Sequence, residues 1–182
     1  MISPWQQWFG FRQPGWRQLL LFEAGWLGLV MQPLYSAALV ALLLCWFISQ
    51  LTSLQRRVLL TLWVTGLLLD TLLVYGGLFA SDSVWLPYWL VLLWGWFSLF
   101  WTMVFSRWLH SALSVALFGL VGGPMAYWGG SQLSDSLQIT PGAEFWLVMA
   151  PAWAALLLWS RQCEVWFKRD SYKDQRSRNN AV

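Results

Sequence analysis

The fold class is decided by the stretch VLLTLWVTGLLLDTLLVYGGL, Val58 to Leu78, which carries a single charged residue, Asp70. A helix rises about 1.5 Å per residue, so about 20 apolar residues cross the roughly 30 Å hydrocarbon core of a membrane. Five further apolar stretches have comparable length: Arg17 to Gln32, Leu34 to Leu51, Val84 to Phe105, Trp108 to Trp128 and Glu144 to Ser160. The sequence therefore predicts an all-α polytopic membrane protein, a bundle of six transmembrane helices.

The composition excludes a soluble domain. Of the 182 residues, 58% are hydrophobic and only 10% are charged, whereas soluble domains carry roughly 25% charged residues. Cys45 and Cys163 lie in or beside apolar runs and indicate no disulfide framework. One histidine, His110, cannot form a histidine-based metal site of the usual kind, and no Ser-His-Asp or HExxH pattern occurs. We therefore predict no catalytic residue, no metal and no cofactor, and favour a protein that is not an enzyme.

The cations predict how the chain crosses the membrane. With six helices, all eleven Lys and Arg fall on one side: Arg12, Arg17, Arg56, Arg57, Arg107, Arg161, Lys168, Arg169, Lys173, Arg176 and Arg178. The positive-inside rule makes this side cytoplasmic, so both termini are expected inside. The opposite connections carry Asp82, Asp135 and Glu144 and no cation. The break between the first two stretches, Gln32 and Pro33, is short, which leaves a re-entrant hairpin as the competing interpretation.

The ends of the chain differ from its apolar centre. We expect residues 1–16 to form a cytoplasmic segment at the membrane interface, with Ile2, Trp5 and Phe9 on one helical face. Residues 17–160 form the six-helix domain, and residues 161–182 a basic cytoplasmic tail that continues the last helix for a turn or two and is then disordered. The tail is too short and too mixed in charge to indicate nucleic-acid binding.

Asp70 is the most informative single residue, because a carboxylate at membrane depth is costly and marks function by default. Gly66, Asp70, Leu73 and Gly77 share one helical face by their spacing, and the small residues allow another backbone to approach closely. Two interpretations carry equal weight here. Asp70 ties its helix to a donor on a neighbouring helix, or it is a functional acid.

Four other side chains complete the set of candidate binding or proton-titrating residues: Glu23, His110, Tyr75 and Tyr127. Glu23 lies about 9 Å beyond Arg17 along its helix, where snorkelling or pairing with Arg17 is the simpler explanation. By depth alone Glu23 and His110 could meet. A single histidine at the interface is more often a solvated or capping group than a catalyst.

Glycine and proline indicate where helices pack closely or bend. Gly119 and Gly123 form a GxxxG motif, which is typical of a close helix crossing. Gly122, Gly123 and Pro124 predict a break in the fifth helix, and Pro151 a bend in the sixth. A broken helix is tolerated at membrane depth only against protein or a water-lined cavity.

Seventeen tryptophans are present, and most suit the aromatic belts at the two interfaces. Five fall near mid-depth, where each indole N–H needs a partner that water cannot supply: Trp26, Trp63, Trp94, Trp96 and Trp153. Some of these must face the bundle interior. Packing with a hydrogen bond to a neighbouring helix is the simpler interpretation, and a pocket for a lipid or cofactor is the alternative.

Four motifs together suggest a family: LFEAGW at 21–26, GLLLDTLLVYG at 66–76, PYWLVLLW at 87–94 and GGPMAY at 122–127. From residue 18 to 160 the chain resembles a domain-of-unknown-function family of small multi-pass inner-membrane proteins of Gram-negative bacteria. Members tend to be encoded near proteins similar to cyclopropane-fatty-acid synthases. The resemblance therefore implies a role in membrane lipid modification or in coping with photo-oxidative stress. Glu23 stands where glutamine is usual, and the family has no assigned activity to carry over.

These observations favour an inner-membrane accessory protein of fatty-acyl modification. It would bind membrane lipids or scaffold a cytoplasmic lipid-modifying enzyme at its basic inner surface. The alternative is a small proton-linked carrier that uses Asp70 as its titrating group and the Gly122 to Pro124 segment as its moving part.

Overall fold

The computed structural model of the protein describes residues 15–80, 86–133, 138–139 and 142–179. The expected interfacial segment at residues 1–14 lies outside these ranges, as do Asp82 and Asp135. The described part of the chain is helical apart from one two-residue antiparallel pairing. The all-α prediction is confirmed at this level.

Six helices follow one another in the described residues. They are α1 (Trp16–Met31), α2 (Pro33–Gln50), α3 (Ser53–Tyr75), α4 (Tyr88–Trp108), α5 (Ala112–Leu133) and α6 (Ala143–Asn179). Two short strands pair with each other. The first, β1 (Phe79–Ala80), lies in the connection from α3 to α4, and the second, β2 (Gln138–Ile139), lies in the connection from α5 to α6.

The helix boundaries follow local chemistry. A single residue, Gln32, separates α1 from α2, which begins at Pro33. Proline is favoured at this position because it has no N–H to leave unpaired. Thr52 caps α3: its side chain accepts a hydrogen bond from the Gln55 backbone N–H, and the Gln55 side chain accepts one from the Thr52 backbone. Gly77, with φ at 74°, turns the chain after α3 in a conformation that other residues rarely adopt.

Five of the described helices are long and apolar enough to cross a membrane, all except α1. With 16 residues, α1 is about 24 Å long, which is shorter than a hydrocarbon core. The predicted spans correspond in order to the six observed helices. The structure thus supports a membrane protein with at least five candidate spans in its described part.

The fourth helix is the centre of the bundle, and every residue from 94 to 105 is buried. Its last part changes from α-helix to a π-helical segment, Trp101–Phe105, before a final turn, Ser106–Trp108. A π-helical turn contains extra backbone and often occurs at functional sites. Neighbours α1, α2 and α3 all pack on α4.

The fifth and sixth helices pack most closely. A Cβ atom added at Gly119 would lie only 2.7 Å from the Cα atom of Ala154, so the two backbones are in direct contact, as the GxxxG spacing predicts. By contrast, α1 and α5 touch only sparsely. A gap therefore opens between these two helices on one side of α4.

Two expectations about the last helices are corrected. The fifth helix ends at Leu133, beyond the predicted Trp128, and it stays helical through Pro124. The sixth helix reaches Asn179, far beyond the one or two turns expected after Ser160; Pro151 lies inside it, and the bend there stays a prediction. Residues 161–179 contain no glycine or proline, and the Lys168 ammonium lies 2.6 Å from the Glu164 carboxylate one turn away. Helix propensity over this stretch, with only a small addition from the surface pair, outweighs the polar composition that suggested disorder.

Candidate functional site

Asp70 is fully buried and holds three helices together. Its carboxylate accepts a hydrogen bond from the Trp94 indole N–H on α4, at 2.6 Å. The Tyr127 hydroxyl on α5 lies 2.6 Å from one carboxylate oxygen and 2.8 Å from the other. All three side chains are buried, with Asp70 at 0% exposure. The carboxylate is therefore paired with donors from two other helices, which is what a buried polar group requires.

Glycines position the aromatic partners of Asp70. A Cβ atom at Gly66, one turn before Asp70, would overlap the Trp94 ring. A Cβ atom at Gly123 would overlap the Trp153 ring in the same way. The two indoles are stacked, with centroids 5.0 Å apart. Each ring therefore packs against helix backbone at a glycine, and the two rings also pack against each other.

The same arrangement recurs in the bundle. An indole lies on a glycine of the neighbouring helix in four pairs: Trp94 on Gly66, Trp153 on Gly123, Trp96 on Gly25 and Trp63 on Gly95. The Trp63 N–H donates to the Val91 carbonyl at 2.9 Å and the Trp96 N–H to the Phe22 carbonyl at 3.1 Å. With Trp94, three of the five mid-depth indoles find protein partners, which confirms the expectation for them.

Among the four indoles that lie on a glycine, Trp153 is the exception. Its indole N–H is buried, and it has no hydrogen-bond partner among the described residues. The ring itself is well packed, because Phe97 meets it edge-on at 5.2 Å and Tyr127 at 6.0 Å. An unpaired donor in a buried place is uncommon in native structures.

An apolar cavity of about 430 Å³ lies between α1, α4 and α5, with Trp153 of α6 at its wall. This volume is within the roughly 300–1,000 Å³ typical of small-molecule sites. The lining residues are Leu19, Phe22, Glu23, Trp26, Val30, Trp89, Leu90, Leu93, Trp94, Phe97, Phe105, Phe118, Gly122, Gly123, Met125, Ala126, Tyr127, Gly130 and Trp153. Asp70 is not among them, because Trp94 and Tyr127 stand between its carboxylate and the cavity.

Aromatic rings form much of the cavity wall. Phe105, in the π-helical segment, lies 5.3 Å from Phe22 on α1 and 5.3 Å from Phe118 on α5. Phe97 stacks on Phe105 at 6.2 Å. The π-helical segment therefore places an α4 ring between α1 and α5, where those two helices make few contacts of their own.

The other sequence candidates are dispersed. Glu23 lines the cavity, but no hydrogen bond or ion pair joins it to Arg17 or His110. The His110 side chain is exposed, and the contact found there is a backbone one, from the Arg161 guanidinium to the His110 carbonyl at 2.7 Å. Tyr75 is 73% exposed and lies away from Asp70.

The predicted packing residues divide into two groups. Gly66, Gly119, Gly123 and Pro124 are buried between helices, and Gly122 borders the cavity. Gly77 and Pro151 are exposed. Gly77 therefore ends its helix and does not join the packing face that its spacing suggested, because α3 stops at Tyr75, two residues earlier.

The site is a cavity lined mainly by apolar and aromatic side chains. Within the described ranges, no three His, Cys, Asp or Glu side chains come together in a group able to hold a metal ion. Sequence reasoning missed Phe22, Phe97, Phe105 and Phe118, because phenylalanines in an apolar run give no signal of which face is inward. For the tryptophans a signal exists, because an indole N–H at mid-depth needs a partner inside the protein.

Comparison with known proteins gives one result. A family model described as a protein of unknown function (DUF2878) matches residues 15–159, which confirms the predicted resemblance to a family of unknown function. Neither the search of curated proteins nor the search of solved structures gives a match. The matched region contains α1 to α5 and the first part of α6, including Asp70, its two donors and the whole cavity wall. The chain belongs to this DUF2878 family.

Proposed function

We propose that this protein is an inner-membrane protein that binds acyl chains and serves as an accessory component of fatty-acyl modification of membrane lipids. The observation that carries the proposal is the aromatic and aliphatic cavity between α1, α4 and α5. Its wall has one charged side chain, Glu23, and is otherwise formed by aliphatic and aromatic side chains, Met125 and glycine backbone.

The position of the cavity favours a ligand that enters from the membrane. The cavity lies where α1 and α5 make few contacts, so its opening faces the lipid that surrounds the bundle. Residues from Leu19 to Val30 line it along α1, a rise of about 17 Å. A chain-like apolar molecule fits such an elongated space better than a compact polar solute does.

The proposal includes six spans with both termini in the cytoplasm. Although α1 is short, it packs on α2 and α4 and lines the cavity, as an inserted helix would. Cysteine labelling tests this in a background with Cys45 and Cys163 replaced by alanine. Ser131→Cys should react with an impermeant reagent from outside, and Ser177→Cys only after permeabilisation; the opposite pattern, or both on one side, overturns the topology.

The long last helix supports a scaffolding role at the inner surface. Its 37 residues are about 55 Å long, so more than a third of it extends beyond a hydrocarbon core of about 30 Å. Exposed Arg169 and Lys173 lie on this extension. We propose that it offers a basic surface to a cytoplasmic lipid-modifying enzyme.

A matched pair of variants tests the lipid role. A Cβ at Gly122 would meet only the Phe118 ring at 3.7 Å, an ordinary contact, and Gly122 lines the cavity, so the longer side chain of Gly122→Leu should occupy cavity space. A Cβ at Gly142 meets nothing within 4 Å, away from the cavity, so Gly142→Leu is the control. The assay is the fatty-acyl profile of membrane lipids in a host without the gene, complemented with each form.

The expected result is an altered profile in the deletion strain that the wild type and Gly142→Leu restore and Gly122→Leu does not. An unchanged profile in the deletion strain overturns the role in fatty-acyl modification. Restoration by Gly122→Leu overturns the use of the cavity.

A proton-linked carrier is the second candidate, favoured by one contact: Tyr127 joins the cavity wall to the buried Asp70 carboxylate. Its test is pH-dependent flux into vesicles that contain the purified protein. The carrier hypothesis requires flux that Asp70→Asn abolishes.

A further inference from the structure

Glu23 is the one charged side chain among the residues that line the cavity. It lies one residue after Phe22 and one turn before Trp26, both of which also line the cavity. Although Arg17 is on the same helix, it stacks over the Trp16 ring at 5.7 Å. No hydrogen bond or ion pair joins the Glu23 carboxyl group to any residue that the structure describes.

The depth of Glu23 limits what can pair with it. Glu23 is the seventh residue after Trp16, the first residue of α1, which places it about 10 Å along the helix. In the proposed topology this is below the phosphate level of the inner leaflet, where glycerol and the first chain carbons lie. A carboxyl group facing lipid at that depth is costly, so such residues pair with a polar group when one is available.

We infer that Glu23 binds the free hydroxyl group of a glycerolipid whose acyl chain occupies the aromatic cavity. The carboxyl oxygen accepts a hydrogen bond from the lipid hydroxyl, and the chain continues past Trp26 and Phe97 between α1 and α4. A headgroup ammonium lies beyond the phosphate and is too far out, whereas a glycerol hydroxyl is at the right depth. This inference rests on the proposed acyl-chain binding and adds the chemical class of the ligand.

Two probes with the same acyl chain test the role of Glu23 separately from acyl-chain binding. They are 1-monooleoylglycerol, which has free hydroxyls, and methyl oleate, which has none. Binding of each radiolabelled probe is measured to the purified full-length protein in detergent. Glu23→Ala removes the acceptor and keeps a good helix former. Glu164→Ala, on the exposed part of α6, is the matched control, since its surface pair with Lys168 contributes little.

The wild type and Glu164→Ala should bind 1-monooleoylglycerol about tenfold more tightly than methyl oleate, the value of one hydrogen bond to a charged or strongly polar acceptor. The Glu23→Ala variant should lose this preference and bind methyl oleate as the wild type does. Glu23→Gln, which keeps an acceptor oxygen, should retain part of it.

Failure of the inference and failure of the proposed function give different results. Equal binding of the two probes by the wild type, abolished by Gly122→Leu, overturns the role of Glu23 and leaves acyl-chain binding in place. A preference that survives in Glu23→Ala also overturns the role of Glu23. No saturable binding of either probe overturns acyl-chain binding itself and the inference with it.

Discussion

The network around Asp70 predicts that a second substitution restores stability lost in the first. In the wild type, Tyr127→Phe removes a hydroxyl that lies 2.6 Å and 2.8 Å from the two Asp70 oxygens. This should cost about 1–3 kcal/mol of unfolding free energy, because the buried carboxylate loses one of its two donors. Asp70→Leu should cost more, about 2–6 kcal/mol, because it leaves both the Tyr127 hydroxyl and the Trp94 N–H unpaired.

The sign of the Tyr127→Phe effect should then reverse in the double variant. With Asp70→Leu already present, the Tyr127 hydroxyl is a buried donor without an acceptor, and its removal should return about 1–3 kcal/mol. The assay is thermal unfolding of the purified protein in detergent, followed by circular dichroism. For a chain of this size 1 kcal/mol corresponds to a shift of about 2–4 °C in Tm.

Tyr75→Phe is the matched control, because Tyr75 is on α3 near Asp70 in sequence but is 73% exposed. It should change the unfolding free energy by no more than about 0.5 kcal/mol. If the costs of Asp70→Leu and Tyr127→Phe simply add, or if Tyr75→Phe costs as much as Tyr127→Phe, then the carboxylate does not organise these helices and the reasoning fails.

Two further predictions use neighbouring contacts. Gly123→Ala should lower the unfolding free energy by about 1–3 kcal/mol, and Tm by several degrees, because the new Cβ overlaps the Trp153 ring. Gly122→Ala, one residue away, should be neutral or should raise the unfolding free energy by about 0.5–1 kcal/mol, since its Cβ meets no clash. Equal losses of stability at both sites would contradict this packing. Arg161→Ala should speed backbone amide hydrogen exchange at residues 109–111. The reason is that the Arg161 guanidinium donates hydrogen bonds to the carbonyls of Leu109 at 3.3 Å and His110 at 2.7 Å. An unchanged exchange rate would mean that these bonds do not stabilise the connection between α4 and α5.

The helices themselves could be predicted because the information is local. The helices are predicted by runs of about 20 apolar residues, and their ends by nearby residues such as the break at Gln32 and the glycines after Tyr75. The observed helices follow these signals in order. The inward position of Asp70 could also be predicted, because a carboxylate among apolar residues is stable only where a protein donor can reach it. The polar composition of residues 161–179 suggests disorder and so underestimates the length of α6, whereas these residues contain no glycine or proline and stay helical.

By itself, the sequence determined the membrane class, the order of the helices and the polar residues that needed partners. Only the tertiary structure decided which partners these are. In sequence, Tyr127 lies 57 residues from Asp70 and Trp94 lies 24 residues from it. No local sequence pattern predicts which of the seventeen tryptophans donates to the carboxylate. The cavity depends on the same long-range packing: it exists where α1 and α5 make few contacts and the π-helical turn of α4 places Phe105 between them. A void of this kind is a property of several helices together, so no single stretch of the chain encodes it.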